Sequence, residues 1–112
     1  MSETIRVYIA SPYTKGDAVL NVRRSLEAAD DLLSRGYVPF VPLLAHFWHF
    51  LSPKDYRVWT AYDLAWVPVC DALLRLPGES AGADREAEVA RAHGVPVFFD
   101  VETLASAMEV ER

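Results

Sequence analysis

The chain has 112 residues, 52% of them apolar, a formal net charge of -5 and one cysteine. That length supports one domain over residues 1–112 with a single core, and the eleven scattered Lys and Arg residues exclude a general nucleic-acid binder, whose affinity rests on clustered cations. Cys70 alone cannot form an internal disulfide, three scattered histidines offer no zinc spacing, and neither a long apolar run nor a basic-then-apolar leader occurs, so a cytoplasmic protein without metal, cofactor or membrane span is expected.

In chain order, four β-type runs alternate with four helical ones, the pattern of an α/β domain in which helices cover both faces of a parallel sheet. A strand over 6–10 enters a turn-rich loop, 11–16. A helix follows over 17–35, with Asp17 as N-cap and Gly36 as its stop; Val19, Val22, Leu26, Ala29, Leu32 and Leu33 recur along it at helical spacing. A strand near 37–41 leads to the unusual aromatic stretch 42–51. Ser52 and Pro53 read as N-cap and first residue of a helix that runs to about Val67, where Pro68 stops it. A strand over 71–76, a loop over 77–81, a helix over 83–93 closed by Gly94, a strand over 96–99 and a helix capped by Asp100 and running through 110 complete the chain. Right-handed crossovers bring the C-terminal ends of such strands to one edge, where open α/β sheets bind ligands. The loops 11–16, 41–52 and 77–82 therefore flank the expected site.

Two acids fall on apolar helix faces. At 100° per residue, Glu86 shares a sector with Ala83, Val89, Ala90 and His93, while Asp84, Arg85, Glu88 and Arg91 lie opposite. Asp63 shares a side with Tyr56, Trp59, Trp66 and Val67, away from Lys54, Arg57 and Ala61. Either acid alone fits a peripheral residue with a water or backbone partner. Two inward carboxylates on separate helices also fit a cleft that cleaves a glycosidic bond, one attacking the anomeric carbon while the other moves protons or orients the sugar.

Ser80, Ala81 and Gly82 precede the Glu86 helix, so free amides and the helix dipole face whatever lies beyond the third strand, a welcoming place for an anion. The same dipole is expected to favour ionised Glu86 in the first turn. Ser11, Lys15 and the amides of 11–16 could complete the cradle; a tight capping loop and a solvated lysine are the alternative.

Taken together, Val7-Tyr8-Ile9-Ala10, Asp63-Leu64-Ala65-Trp66, Cys70-Asp71-Ala72 and the run from Ser80 to Glu86 followed by Ala90 and Gly94 resemble the nucleoside 2-deoxyribosyltransferase superfamily. That superfamily includes the 2'-deoxynucleoside 5'-phosphate N-hydrolases. The resemblance implies a three-layer α/β/α flavodoxin-like (Rossmann-like) domain with a four- to five-stranded parallel sheet and a homo-oligomer. It implies Glu86 as nucleophile, Asp63 as the aspartate of the Asp-Leu-x-Trp helix, and Tyr8 as the tyrosine touching sugar and nucleophile. Ser80 stands where the hydrolases resemble one another in a phosphate-binding serine and the transferases in a sugar-binding aspartate. The resemblance thus implies hydrolysis of a nucleoside monophosphate, with Ser80, Gly82, Ser11 and Lys15 binding substrate. His46 matches a histidine near the hydrolase pocket or serves packing. The sequence departs from the hydrolases in its first loop, which is not of the Gly-Ser-x-Arg-Gly type, and in Asp84 and Arg85 before the nucleophile. Phe47, Trp48, Trp59 and Trp66 are stacking candidates for the base, or plain core. Deoxyribosyl transfer between bases and non-catalytic nucleotide binding are the competing functions.

Overall fold

Strand β1 (Arg6–Ala10) alternates strictly: Val7 and Ile9 face one side, Tyr8 and Ala10 the other, and all four are fully buried. A strand buried on both faces belongs in the middle of a covered parallel sheet. The computed structural model, which describes residues 4–110 apart from the His46 side chain, has it there. β1 pairs in parallel with β2 (Val38–Phe40) on one edge and β3 (Ala72–Arg75) on the other, and β4 (Val97–Phe98) adds beyond β3, giving the order β2-β1-β3-β4. Helix α1 (Ala18–Ser34) links β1 to β2, α4 (Ala81–Ala92) links β3 to β4, and α5 (Val101–Ala107) follows. On one face, Val7, Ile9, Ala72 and Leu74 pack with Ala29 and Leu32 of α1 and Leu104 of α5. On the other, Tyr8, Ala10 and Leu73 meet Ala83, Ala87 and Ala90 of α4, with Val67 and Cys70. The three-layer flavodoxin-like architecture that the resemblance implied is the one observed, with four strands among the described residues.

Three local expectations are corrected. The inward face of α1 is Asn21, Ser25, Ala29 and Leu32, whereas Val19 and Leu33 of the apolar stripe are exposed, at 80% and 61%. Asn21 wins the buried position because its Nδ2 donates to the carbonyls of Tyr13 and Lys15, at 3.0 and 2.8 Å, and so ties the loop after β1 to the helix. Second, the aromatic stretch forms a 3₁₀ turn (Pro42–Leu44) and a short helix, α2 (Ala45–Leu51). Ser52 closes α2 with its amide donating to the Trp48 carbonyl, so it is not the cap of the next helix; α3 (Tyr56–Trp66) is capped by Asp55, whose carboxylate accepts from the Arg57 amide. Third, α4 begins two residues earlier than expected, with Ser80 as N-cap, and α5 ends at Ala107 rather than 110. Gly36 and Gly94 do end α1 and α4, at φ +96° and +74°.

The connection out of β1 goes to one edge and β3 lies on the other side, so the order reverses between the C-terminal ends of β1 and β3. No helix among the described residues is long and apolar enough to cross a membrane.

Candidate active site

The site is built outward from Tyr8. Its ring lies on the α4 side of β1, fully buried, 5.6 Å from the Phe40 ring, and its hydroxyl donates to Glu86 Oε2. Burial and the adjacent carboxylate push the phenol well above its ordinary range, so Tyr8 remains a proton donor. Glu86 reaches it from the inward stripe of α4, beside Ala83, Ala87 and Ala90. Asp63 enters from α3; its Oδ1 is buried and accepts no hydrogen bond among the described residues. A buried acceptor left unmatched costs free energy, on the order of 1–3 kcal/mol, unless a ligand or a proton satisfies it.

Both carboxyls are pushed up to about 7, each chiefly by burial. For Glu86 the Tyr8 hydrogen bond and the Arg75 charge pull down and the Asp63 charge pushes up, with burial the largest influence. The expectation that the helix dipole favours the Glu86 carboxylate from the first turn is corrected on position. Because α4 starts at Ala81, Glu86 is its sixth residue, beyond the first turn to which the dipole's effect is confined, and desolvation outweighs it. Two interacting acids that titrate near neutrality share charge between them, one tending to stay protonated while the other is an anion.

These acids open into a cleft of about 580 Å³ at the strand-order reversal. Ser11, Lys15, Ser80 and Gly82 also line it, so seven of the eight residues singled out from the sequence converge, with Tyr8 behind Glu86; the His46 side chain lies outside the described residues. Ser80 Oγ accepts from the Ala83 amide at 3.0 Å, as a cap, and keeps a hydroxyl proton to donate. The amides of Ala81 and Gly82 have no intrahelical acceptor and sit at the cleft wall. A Cβ on Gly82 would meet only ordinary contacts, at 3.8 and 3.9 Å, so steric need does not explain the glycine. The Lys15 ammonium lies 3.5 Å from Glu79 Oε2, both side chains largely exposed, a weak pair between the two loops at the cleft. Ser11 donates to the Pro12 carbonyl at 3.0 Å.

Of the four stacking candidates only Trp59 lines the cleft. Trp66 stacks on Phe40 at 5.1 Å, Trp48 packs edge-on against Trp59, and Phe47 is 64% exposed. Three further groups were not picked out from sequence. His49 lines the cleft, and its Nδ1 accepts from Trp59 Nε1 at 2.8 Å and from the Lys54 amide at 3.2 Å. Lys54 lines the cleft beside it. Arg75, at the end of β3, is 8% exposed and hydrogen-bonded to Asp84. The polar members of an otherwise apolar run, His49 in α2 and Arg75 in β3, were the available signal.

Solved 2-deoxyribosyltransferases share this fold. The enzyme of Leishmania mexicana superposes with a TM-score of 0.62 at 19% identity, over 96% of this chain and 79% of its own. That of the psychrotolerant bacterium Bacillus psychrosaccharolyticus gives 0.58 at 19% identity, over 82% of this chain and 69% of its own. No curated protein matches the chain by sequence. Residues 5–100 match the family model described as a domain of unknown function, DUF7768, and the chain, with its deoxyribosyltransferase fold, belongs to that family.

Proposed function

We propose that this chain cleaves the N-glycosidic bond of a 2'-deoxynucleoside through a covalent ester on Glu86 and passes the sugar to a second base. The observation that carries this reading is the buried Tyr8–Glu86 hydrogen bond beside the unmatched Asp63 oxygen in one cleft. Tyr8 occupies Glu86 Oε2 and leaves Oε1 to attack C1'. As the C1'–N bond breaks, its electron pair goes to the base, and protonated Asp63 supplies the proton. The incoming base then attacks C1', Glu86 departs as carboxylate, and Asp63 takes up the proton released, so configuration is retained. Trp59 and His49, which line the cleft, are suited to the base, and Ser11, Ser80, Gly82 and Lys15 to the 5' end of the sugar. Neither metal nor cofactor is needed for these steps. The substrates are nucleosides and free bases, and the proposed setting is the cytoplasm.

A second reading is hydrolysis of a nucleoside 5'-monophosphate, with water as acceptor. It is favoured by Ser80 and the free amides of Ala81 and Gly82 at the N-terminus of α4. Against it stand two carboxylates near that end, Glu79 beside Lys15 and Asp84 in the first turn of α4.

A homo-oligomer is also proposed. Helix α3 has apolar residues at most positions yet buries none of them, and Phe47, Phe50 and Leu51 of α2 are exposed beside it. Sedimentation should give a multiple of the 12.6 kDa chain mass; a monomer at micromolar concentration would remove this part of the proposal.

The deciding experiment incubates wild type and Glu86→Gln with deoxynucleosides, with and without a second base, and with deoxynucleoside 5'-monophosphates, and follows the bases by chromatography. Exchange dependent on Glu86 supports transfer; base release only from monophosphates supports the hydrolase. Binding without base release, or equal activity of the Gln variant, overturns both.

A further inference from the structure

We propose that Arg75 is a positioning residue for the nucleophile: it clips the loop after β3 to the first turn of α4, and thereby sets both the place and the charge environment of Glu86. The inference rests on Glu86 being the reactive carboxylate.

The position is unusual for an arginine. Arg75 ends the central strand β3, opposite Ala10 of β1, and its side chain is 9% exposed, in a strand otherwise made of Ala72, Leu73 and Leu74. A buried guanidinium is costly unless each face of its fork is matched. Here it is matched by the loop itself. Nη1 donates to the Leu76 carbonyl, Nη2 donates to the Gly78 carbonyl at 2.9 Å, and Nη2 and Nε both donate to Asp84 Oδ1, at 2.9 and 3.2 Å. One side chain thus ties together the two carbonyls of the outgoing loop and a residue of the first helical turn. Ser80 lies between Gly78 and Asp84, inside the span of the clip, and Glu86 follows two residues beyond its far end on the same helix. Only a planar, five-donor group can make these bonds at once; a lysine would keep the charge and lose most of the geometry.

Charge follows from the same placement. The groups acting on Glu86 are Tyr8 from β1, Asp63 from α3 and Arg75 from β3, and of these Arg75 alone is a cation. It favours the Glu86 carboxylate against burial and against Asp63. Asp84, with its side chain 67% exposed, offsets part of that charge. Replacing Asp84 by Asn should therefore strengthen the pull of Arg75 on Glu86, and replacing Arg75 by Met should abolish it.

The test compares Arg75→Met, Arg75→Lys and Asp84→Asn on two readouts. The first is the acid limb of kcat/KM against pH for base exchange. The second is the infrared titration of the carboxylate band that disappears in Glu86→Gln, which reads Glu86 whether or not the protein turns over. The limb and the band should both move to higher pH in Arg75→Met, with a loss of the reactive form below the limb. In Arg75→Lys, which keeps the charge and loses the fork, they should move less than in Arg75→Met, and in Asp84→Asn they should move to lower pH. If all three variants change Tm while limb and band stay at the wild-type pH, Arg75 is a structural staple and the proposal fails. Should the band shift as expected in a protein whose exchange activity does not depend on Glu86, the function proposed above falls while the electrostatic role of Arg75 stands. If Arg75→Met does not fold, Asp84→Asn decides alone: an unmoved band refutes the proposal.

Discussion

Replacing Glu86 with Gln removes a charge the fold holds unfavourably, so the variant should be the more stable protein wherever the carboxylate would be ionised. Burial lifts this carboxyl from 4.5 to about 7. With the folded value above the unfolded one, the native chain keeps a proton that the unfolded chain has released. That contribution to stability is fully present below 4.5 and is lost as pH rises to about 7. The interval, at about 1.4 kcal/mol per pH unit, amounts to on the order of 3 kcal/mol. Gln fills the same volume, can accept the Tyr8 hydroxyl through its amide oxygen, and carries no charge to desolvate. It should therefore raise Tm by on the order of 10 °C at about pH 8, and change it little near pH 4.5. Scanning calorimetry of both proteins in matched buffers is the assay. A difference that is the same at both pH values, or a less stable variant at high pH, would refute the claim that desolvation dominates at Glu86.

Tyr8→Phe removes a hydrogen bond to a carboxylate, about 1.5–3 kcal/mol, and should move the acid limb of kcat/KM up by about 1–2 pH units; an unmoved limb would mean that Tyr8 does not act on Glu86. Asn21→Ala deletes the two bonds to the Tyr13 and Lys15 carbonyls and should lower unfolding free energy by about 1–3 kcal/mol in urea, with faster proteolysis within 11–16. Glu79→Gln frees Lys15 at the mouth. It should lower KM for a deoxynucleoside 5'-monophosphate several-fold and leave KM for the nucleoside unchanged; an equal effect on both would place Lys15 away from the 5' end.

What local sequence could determine was periodic. The wheel around Glu86 put that acid with Ala83, Val89, Ala90 and His93, where the structure has it beside the buried Ala83, Ala87 and Ala90, and strand–helix alternation implied the covered parallel sheet. Periodicity failed where two polar groups had a better claim to the interior than the apolar stripe, as Asn21 and Ser25 have on α1. Capping signals also misplaced the boundary inside 42–55: Ser52, read as the start of a helix, is the stop of a short one, and Asp55 caps the next. Other features depend on residues far apart along the chain: the Tyr8–Glu86 bond spans 78 residues, and Lys15 meets Glu79 across the cleft mouth. The protonation of Glu86 belongs to this second class. Its local surroundings, a helix start with free amides, argue for an anion, but the desolvation that dominates comes from the sheet packed against α4, and only the folded chain creates it.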